Sequence, residues 1–242
     1  MMNNGFVIVA SSNKKFLHFA QFLALSLKDN IDCSITLFTQ DTWKDDPDND
    51  IFDNIIGGAP SSPRAKLWAL DKTPYDITCY LDADMVCYSE NASSVFDLLG
   101  DNDIVFGKIE ERCAAKIWWK RKEGFSVPHG GMFVWKNNEK MKSFMKQWWE
   151  NWKTHQIFKW RWGNKYDYQS AKFWDQFPLQ IMLLDKEDQW YRPDIKWSWI
   201  KDHHIWNWIY AYDNLKDLND RYKNNDIIFY HYAHIKSSHE SN

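Results

Sequence analysis

The N-terminal part of the chain contains two short apolar runs separated by an amphipathic helical pattern, and this arrangement restricts the fold more than any other feature. Gly5–Ala10 reads GFVIVA, a run typical of a buried strand. Apolar residues then recur at helical spacing over Lys15–Leu27, and Ser34–Thr39 predicts a second strand. A strand, a helix and a strand in this order favour a parallel sheet with a right-handed crossover.

The remaining apolar segments continue this alternation, with no linker or internal repeat that divides the chain. Further strands are predicted at Ile77–Leu81, Asp103–Phe106, Met132–Trp135 and Ile227–Tyr230. Further helices are predicted at Ala65–Leu70, Val95–Leu99, Asn138–Thr154 and Trp174–Leu184. The acidic stretch Asp41–Asp50 is predicted to be a loop. Because 242 residues suffice for one large core, we expect a single α/β domain.

The composition excludes several broad classes of protein. Apolar residues make up 44% of the chain and charged residues 26%, as in folded globular proteins. The formal net charge of -3 argues against non-specific nucleic-acid binding as the main function. The sequence shows neither a secretory leader nor a run of about 18 apolar residues, so we expect no transmembrane segment. The cysteines form no C-x-x-C pair, which favours a reducing compartment and a cytoplasmic location.

Tryptophan is unusually abundant, at 16 of 242 residues, and only Trp43 and Trp68 precede residue 118. Burial in the core is the first interpretation, because large aromatic side chains dominate burial free energies. An aromatic platform for a sugar or a base is the second interpretation. Both can hold for different tryptophans.

The strongest chemical signal is a pair of carboxylates directly after a predicted strand. The apolar run ends at Leu81, and Asp82-Ala83-Asp84 follows. Ligands of open α/β sheets bind beyond the carboxyl ends of strands, and two such close carboxylates repel each other unless a cation lies between them. Oxygen ligands suit Mg²⁺ or Mn²⁺, and either ion can neutralise a diphosphate. For a D-x-D pattern taken alone, a solvated acidic turn is the alternative.

Other polar residues become candidate site residues if these aspartates bind a metal. His231 follows the last predicted strand and can complete a metal shell, although a histidine at a strand end is often structural. The cations Arg64, Lys66 and Lys236 can offset the charge of a diphosphate leaving group, or they are surface charges. Asp175-Gln176, at the start of the last predicted helix, can bind sugar hydroxyls or cap that helix.

Taken in order, these segments resemble the glycogenin-like retaining glycosyltransferases, the family-8 group with the GT-A fold. The closest match is PRAKLWALDKTPYDITCYLDADMVCYSENASSVFDLL, which contains the lysine, the tyrosine-aspartate pair and the LDAD of the family pattern. VIVASSNKKFLHFAQFLALSL resembles the family's opening strand and helix. The small-glycine, aspartate-glutamine and terminal histidine–lysine motifs are matched by HGGMFVWK, WDQFPLQIM and FYHYAHIK.

The resemblance implies a single GT-A domain over residues 1–242 with a mainly parallel central sheet flanked by helices. The nucleotide-binding half would cover about 1–107, and the acceptor and metal-completing half about 108–242. The implied activity is metal-dependent transfer of a sugar, with retention of configuration, from a nucleotide-diphosphate sugar to an acceptor. UDP is favoured as the nucleotide, Mn²⁺ or Mg²⁺ as the metal, and a saccharide or other glycan as the acceptor.

The resemblance also assigns roles to individual residues. The metal ligands would be Asp82, Asp84 and His231, with Ala83 between the two aspartates. The diphosphate contacts would be Lys66 and Lys236. The nucleoside base would lie at Ala10, Ser11 and Phe16. The donor sugar would lie against Gly130 and Gly131, with its hydroxyls bound by Asp175 and Gln176. The catalytic residues would be Asp175, Gln176 and Lys66.

The chain departs from the family pattern at two histidines, and other functions stay open. His129 stands where the family often has asparagine, and His234 where glycine is usual. The stretch KIWWKRK at 116–122 mixes charge with tryptophan, as single-strand binders do, so a modified nucleic-acid base is an alternative acceptor. A non-catalytic sugar-binding module on the same fold is another alternative. A nucleotidyltransferase ranks lower, because the N-terminal SSNKK has no glycine.

Overall fold

The computed structural model describes residues 3–109, 127–157, 175–206, 208–209 and 227–232. The strands in these ranges are β1 (Asn4–Ala10), β2 (Ile35–Thr39), β3 (Asn54–Ile56), β4 (Ile77–Leu81), β5 (Met85–Cys87), β6 (Ile104–Ile109), β7 (Val127–Lys136), β8 (Trp197–Trp199), β9 (Trp208–Ile209) and β10 (Phe229–His231). The α-helices are α1 (Lys15–Asn30), α2 (Ala65–Ala69), α3 (Glu139–Ile157), α4 (Gln176–Leu184) and α5 (His203–Trp206). Short 3-10 helices cover Asp41–Trp43, Pro47–Ile51, Leu70–Lys72 and Glu90–Leu99.

A seven-stranded sheet in the order β3-β2-β1-β4-β7-β6-β8 forms the centre of the fold. β1 pairs in parallel with β2 and β4, and β2 pairs in parallel with β3. β7 is inserted antiparallel between β4 and β6, and β8 pairs in parallel with β6. The predicted strand–helix–strand unit and the mainly parallel α/β sheet are therefore confirmed. A second sheet of three strands has the order β5-β10-β9.

Both faces of the central sheet are buried, which explains why β1 is apolar at successive positions. Phe6 and Ile8 belong to the core cluster that includes buried side chains of α1, whereas Val7 and Val9 belong to the cluster that includes those of α3 and α4. Each large apolar side chain buried in this way contributes about 1.5–3 kcal/mol. The helices therefore cover the sheet on two sides, and its carboxyl edge remains available for a site.

The structure differs from the sequence-based prediction mainly in short elements. Asp41–Asp50, predicted as a loop, lies largely in 3-10 turns, and one of them begins where the Asp46 side chain accepts a hydrogen bond from Asp48 N. The short helix predicted at Val95–Leu99 is the end of a 3-10 helix that begins at Glu90. Polar residues that favour loops also start such turns, because their side chains bind nearby backbone N–H groups.

The packing interpretation of tryptophan is confirmed for two residues at the centre of the fold. Trp135 and Trp148 are 1% and 0% exposed. Trp148 Nε1 also donates a hydrogen bond to the carbonyl oxygen of Asp175 at 2.7 Å, which ties α3 to the start of α4. None of the described helices combines the length and the apolar character that crossing a bilayer requires.

Gly5 supplies a test of the packing around β1. A Cβ atom at this position would lie 2.3 Å from Cζ of Tyr75, a buried residue whose hydroxyl is 2.8 Å from Thr36 Oγ1. We expect Gly5→Ala to lower the free energy of unfolding by about 1–3 kcal/mol, because the added methyl group would overpack the core against Tyr75. Urea unfolding measures the change, with Asn4→Ala at an exposed neighbouring position as control. Equal midpoints for the two variants would contradict this packing.

Candidate active site

Asp82 and Asp84 lie directly after β4, in the short connection to β5. β7 runs beside β4, and Asp82 N donates a hydrogen bond to the carbonyl oxygen of Gly131 at 2.8 Å. Met85 N then donates to the Asp82 carbonyl oxygen at 3.1 Å, which closes a turn around the two aspartates. The Asp84 residue is only 8% exposed, and 24% of the Asp82 side chain is exposed. The sheet therefore delivers both carboxylates to one point at its carboxyl edge.

His231 reaches the aspartates through pairing of β10 with β5. This antiparallel pairing sets His231 opposite Met85, and Tyr232 N donates a hydrogen bond to the carbonyl oxygen of Asp84 at 2.9 Å. His231 Nε2 lies 3.2 Å from Asp84 Oδ1 and 3.8 Å from Asp82 Oδ2. The structure thus brings the predicted metal ligands together, with one donor atom from each residue within 4.8 Å of the others.

The chemistry of this donor set fits a small divalent cation. Asp84 and His231 are 8% and 3% exposed, and a buried carboxylate requires a compensating positive charge. Gly131 leaves space beside them, because a Cβ there would lie 2.8 Å from His231 Cε1 and 2.9 Å from Asp82 Oδ2. Carboxylate oxygens and an imidazole nitrogen are suitable ligands for Mn²⁺, and carboxylates for Mg²⁺.

Lys66 on α2 connects the two acidic parts of the site. The residue is 7% exposed, and its Nζ lies 3.0 Å from Asp82 Oδ1, 3.0 Å from Asp175 Oδ2 and 2.7 Å from the carbonyl oxygen of Gly130. Burial by itself lowers the pKa of Lys66, but Asp175 and Asp82 outweigh it and raise that pKa above its ordinary value. An ammonium group has three donors, and here three protein acceptors surround it. Its predicted contact with a diphosphate stays a prediction.

Asp175 lies at the N-terminus of α4 and is 3% exposed. Its side chain makes no capping hydrogen bond to the helix, so capping does not explain its position. Instead its Oδ1 lies 3.3 Å from Arg64 Nε, and Lys66 contacts the other oxygen. Burial raises the pKa of Asp175, but these two cations hold it below its usual value. A Cβ at Gly130 would lie only 2.7 Å from Asp175 Oδ2, so a glycine is needed there.

A cleft of about 240 Å³ extends from the aspartates toward the end of β1. The predicted base contacts Ser11 and Phe16 line it together with Ala83, and the Ser11 hydroxyl donates to the carbonyl oxygen of Pro60. Ala10, the last residue of β1, is fully buried directly before Ser11. Gln176 begins α4 beside Gly130, with its Cγ 3.3 Å from where a Cβ would be. Lys236, His234 and the basic stretch 116–122 lie outside the described residues.

Two residues with no predicted role, Tyr80 and His129, complete the site. The Tyr80 hydroxyl donates a hydrogen bond to Asp82 Oδ1 at 2.6 Å, and Lys66 Nζ lies 5.3 Å from the centre of the Tyr80 ring. His129 accepts a hydrogen bond from Gly131 N at its Nδ1, 3.2 Å away. Burial and the neighbouring His231 lower the pKa of His129 to about 3, so its ring is neutral at physiological pH. Tyr80 was predictable, because residues two apart on a strand face the same side.

Solved structures of glycosyltransferases have the same fold. The chain is similar to the glycosyltransferase GlyE of Streptococcus pneumoniae TIGR4, with a TM-score of 0.58 and 16% identity over 95% of this chain and 55% of that one. It is similar to the galactosyltransferase LgtC, in complex with donor and acceptor sugar analogues, with a TM-score of 0.51, 15% identity and coverages of 95% and 87%. A glycosyltransferase involved in glycosylation of the major capsid of PBCV-1 gives a TM-score of 0.50 at 13% identity, over 96% of this chain and 93% of that one.

These similarities define the fold and leave the assignment to family 8 as a prediction. No protein-family model and no curated protein matches the chain. The chain spans about half of the length of the pneumococcal protein. The fold is therefore that of glycosyltransferases.

Replacing Lys66 tests the electrostatic balance of the site. We expect Lys66→Met to lower the free energy of unfolding at pH 7 by about 3–5 kcal/mol, because the buried carboxylate of Asp175 and the partly buried one of Asp82 lose their shared cation. The folded-state pKa values of Asp82 and Asp175 lie below the ordinary value, so their stabilisation is present at neutral pH and is lost as pH falls through those lowered values. In the variant, burial without Lys66 raises the pKa of both carboxylates, so they take up protons by pH 4 and the deficit should shrink in acid.

Urea unfolding at pH 7 and pH 4 measures this deficit. Lys142→Met is the matched control, because the Lys142 ammonium lies 2.8 Å from Glu139 at an exposed helix surface. Such exposed pairs contribute about 0–1 kcal/mol, so this variant should unfold almost as the wild type does at both pH values. A Lys66→Met deficit that is the same at pH 7 and pH 4 would contradict the proposed balance.

Proposed function

We propose that this chain is a metal-dependent glycosyltransferase that moves a sugar from a UDP-sugar to a hydroxyl acceptor with retention of configuration. The observation that carries the proposal is the convergence of Asp82, Asp84 and His231 beside a cleft, in a fold shared with glycosyltransferases. A D-x-D pattern alone has many explanations. A buried histidine that lies against the two aspartates, although it is distant from them in sequence, has few explanations other than metal binding.

Asp82, Asp84 and His231 would hold Mn²⁺ or Mg²⁺. When bound, such an ion stabilises the negative charge that develops on a diphosphate leaving group. The neutral His129 ring packs against His231, with ring centres 5.4 Å apart, and adds no positive charge that would compete with the ion. The proposal also keeps the predicted role of Lys236 in binding the diphosphate.

We propose that Asp175 binds sugar hydroxyls and does not attack the sugar. Both of its oxygens are paired with cations, Oδ1 with Arg64 and Oδ2 with Lys66, which weakens the carboxylate as a nucleophile. A retaining reaction without a protein nucleophile requires the acceptor hydroxyl to approach from the side on which the diphosphate leaves. In this proposal Asp175 and Gln176 orient the sugar, and Lys66 fixes Asp175 and adds positive charge near the leaving group.

We propose that the two predicted halves of the chain bind different parts of the substrates. The residues that line the cleft extend from Val9 to Asp84, so we assign the nucleotide to the half at about 1–107. Phe16 would stack on the base beside Ala10 and Ser11. Gly130 and Gly131 on β7 would admit the sugar close to the backbone. We propose a saccharide acceptor, supported by the binding of an acceptor sugar analogue to LgtC.

Turnover of UDP-sugars tests this function. We expect slow Mn²⁺-dependent hydrolysis of at least one UDP-sugar, with NMR showing that the first anomer formed has the configuration of the donor. Asp84→Asn should lower the rate at least 100-fold, about 2.7 kcal/mol, with little effect on unfolding. Asp101→Asn at an exposed position is the control and should keep the wild-type rate.

Three outcomes separate the candidate functions. Full activity of Asp84→Asn would overturn the metal assignment. An inverted product would overturn retention. Metal-dependent binding of UDP-sugars with no turnover on any saccharide or nucleic-acid acceptor would favour a non-catalytic sugar-binding module.

A further inference from the structure

The two carboxylate oxygens of Asp82 have different surroundings. Oδ1 accepts a hydrogen bond from the Tyr80 hydroxyl at 2.6 Å and lies 3.0 Å from Lys66 Nζ. Oδ2 lies 3.8 Å from His231 Nε2, on the side where Asp84 Oδ1 is found. One oxygen therefore points to protein donors and the other points to the predicted metal ligands.

Both donors to Oδ1 are fixed in place. Tyr80 is 2% exposed, and its ring stacks on that of Phe133 with centres 5.1 Å apart and planes at 28°. Lys66 is held by its further contacts with Asp175 and the carbonyl oxygen of Gly130. Because neither donor group is on an exposed, mobile side chain, the two contacts hold the Asp82 carboxylate in one orientation about its Cβ–Cγ bond.

We propose that Tyr80 and Lys66 act as a clamp on Asp82 Oδ1, which makes Asp82 a one-oxygen ligand and selects a small six-coordinate cation over Ca²⁺. This inference rests on the proposed function, because it concerns the same metal site. Ca²⁺ takes six to eight oxygens and commonly binds both oxygens of a carboxylate, whereas Mg²⁺ requires octahedral geometry with shorter distances. The Tyr80 hydroxyl and the Lys66 ammonium occupy Oδ1 and therefore oppose binding of a cation by both oxygens of Asp82. Tyr80 is thus a positioning residue for a ligand.

Tyr80→Phe removes the hydroxyl and keeps the ring that stacks on Phe133. Loss of an outer hydrogen bond to a metal ligand typically lowers metal affinity 10–100-fold. We expect the Kd for Mn²⁺ to rise about tenfold in this variant. The Kd for Ca²⁺ should stay the same or fall, because Asp82 can then offer both oxygens. The preference for Mn²⁺ over Ca²⁺ should therefore fall at least tenfold.

The experiment follows free Mn²⁺ by electron paramagnetic resonance during titration of the whole chain, and then displaces it with Ca²⁺. Tyr75→Phe is the matched control, because Tyr75 is also 2% exposed and its hydroxyl contacts Thr36, away from the carboxylates. A lower Mn²⁺ to Ca²⁺ preference in Tyr80→Phe alone supports the clamp. Lys66→Met, which removes the other donor, should shift the preference in the same direction and serves as a second variant.

The remaining outcomes distinguish the two proposals. An unchanged preference in Tyr80→Phe, or an equal fall in Tyr75→Phe, overturns the clamp and leaves the metal site in place. Absence of Mn²⁺ binding by the folded wild type overturns the clamp together with the proposed function.

Discussion

The ion pairs of Lys66 with Asp82 and Asp175 connect the parts of the structure on which the proposed chemistry depends. Each contact joins a different element to α2: Asp82 follows β4, Asp175 begins α4, and Gly130 belongs to β7. Buried carboxylates are costly unless they are paired and hydrogen-bonded, and the Lys66 ammonium contacts both, with Arg64 on Asp175 and the Tyr80 hydroxyl on Asp82 as further partners. Asp84 lies next to His231, which is nearest to the Asp82 oxygen that Lys66 does not contact. The position proposed for a cation is therefore the side of the site that Lys66 does not reach.

Elements distant in sequence close the site through backbone geometry. β7 enters the sheet antiparallel beside β4, so its two glycines lie next to Asp82 and Asp175, where any side chain would collide. β10 pairs with β5 and delivers His231 to the aspartates. Trp148 holds the start of α4 through the Asp175 carbonyl oxygen. The position of α3 therefore helps to fix Asp175, the residue proposed to orient the sugar.

Sequence patterns predicted the long elements and the convergence of Asp82, Asp84 and His231, for physical reasons that do not extend to the rest. β1, α1 and β2 carry clear periodicity over many residues, and β4 is an apolar run that stops at two aspartates. β3, β5, β8 and β9 have only two or three residues each, too few for a period, and they form because a partner strand is available. The ring of acceptors around Lys66 depends on how β4, β7 and α4 pack together, which local sequence does not encode. Tyr80 differs, because its spacing from Asp82 already placed both side chains on one face.

The most direct measurement is a calorimetric titration of the protein with UDP in the presence of Mn²⁺, with Mn²⁺ omitted, and with GDP in place of UDP. A site built from Asp82, Asp84 and His231 to hold a cation against a diphosphate predicts that UDP binds with Mn²⁺ and that its binding is lost when a chelator is added. GDP should bind more weakly under the same conditions. Binding of UDP that is unaffected by the chelator, or no binding of UDP by the folded protein, would contradict a metal–diphosphate site at these residues.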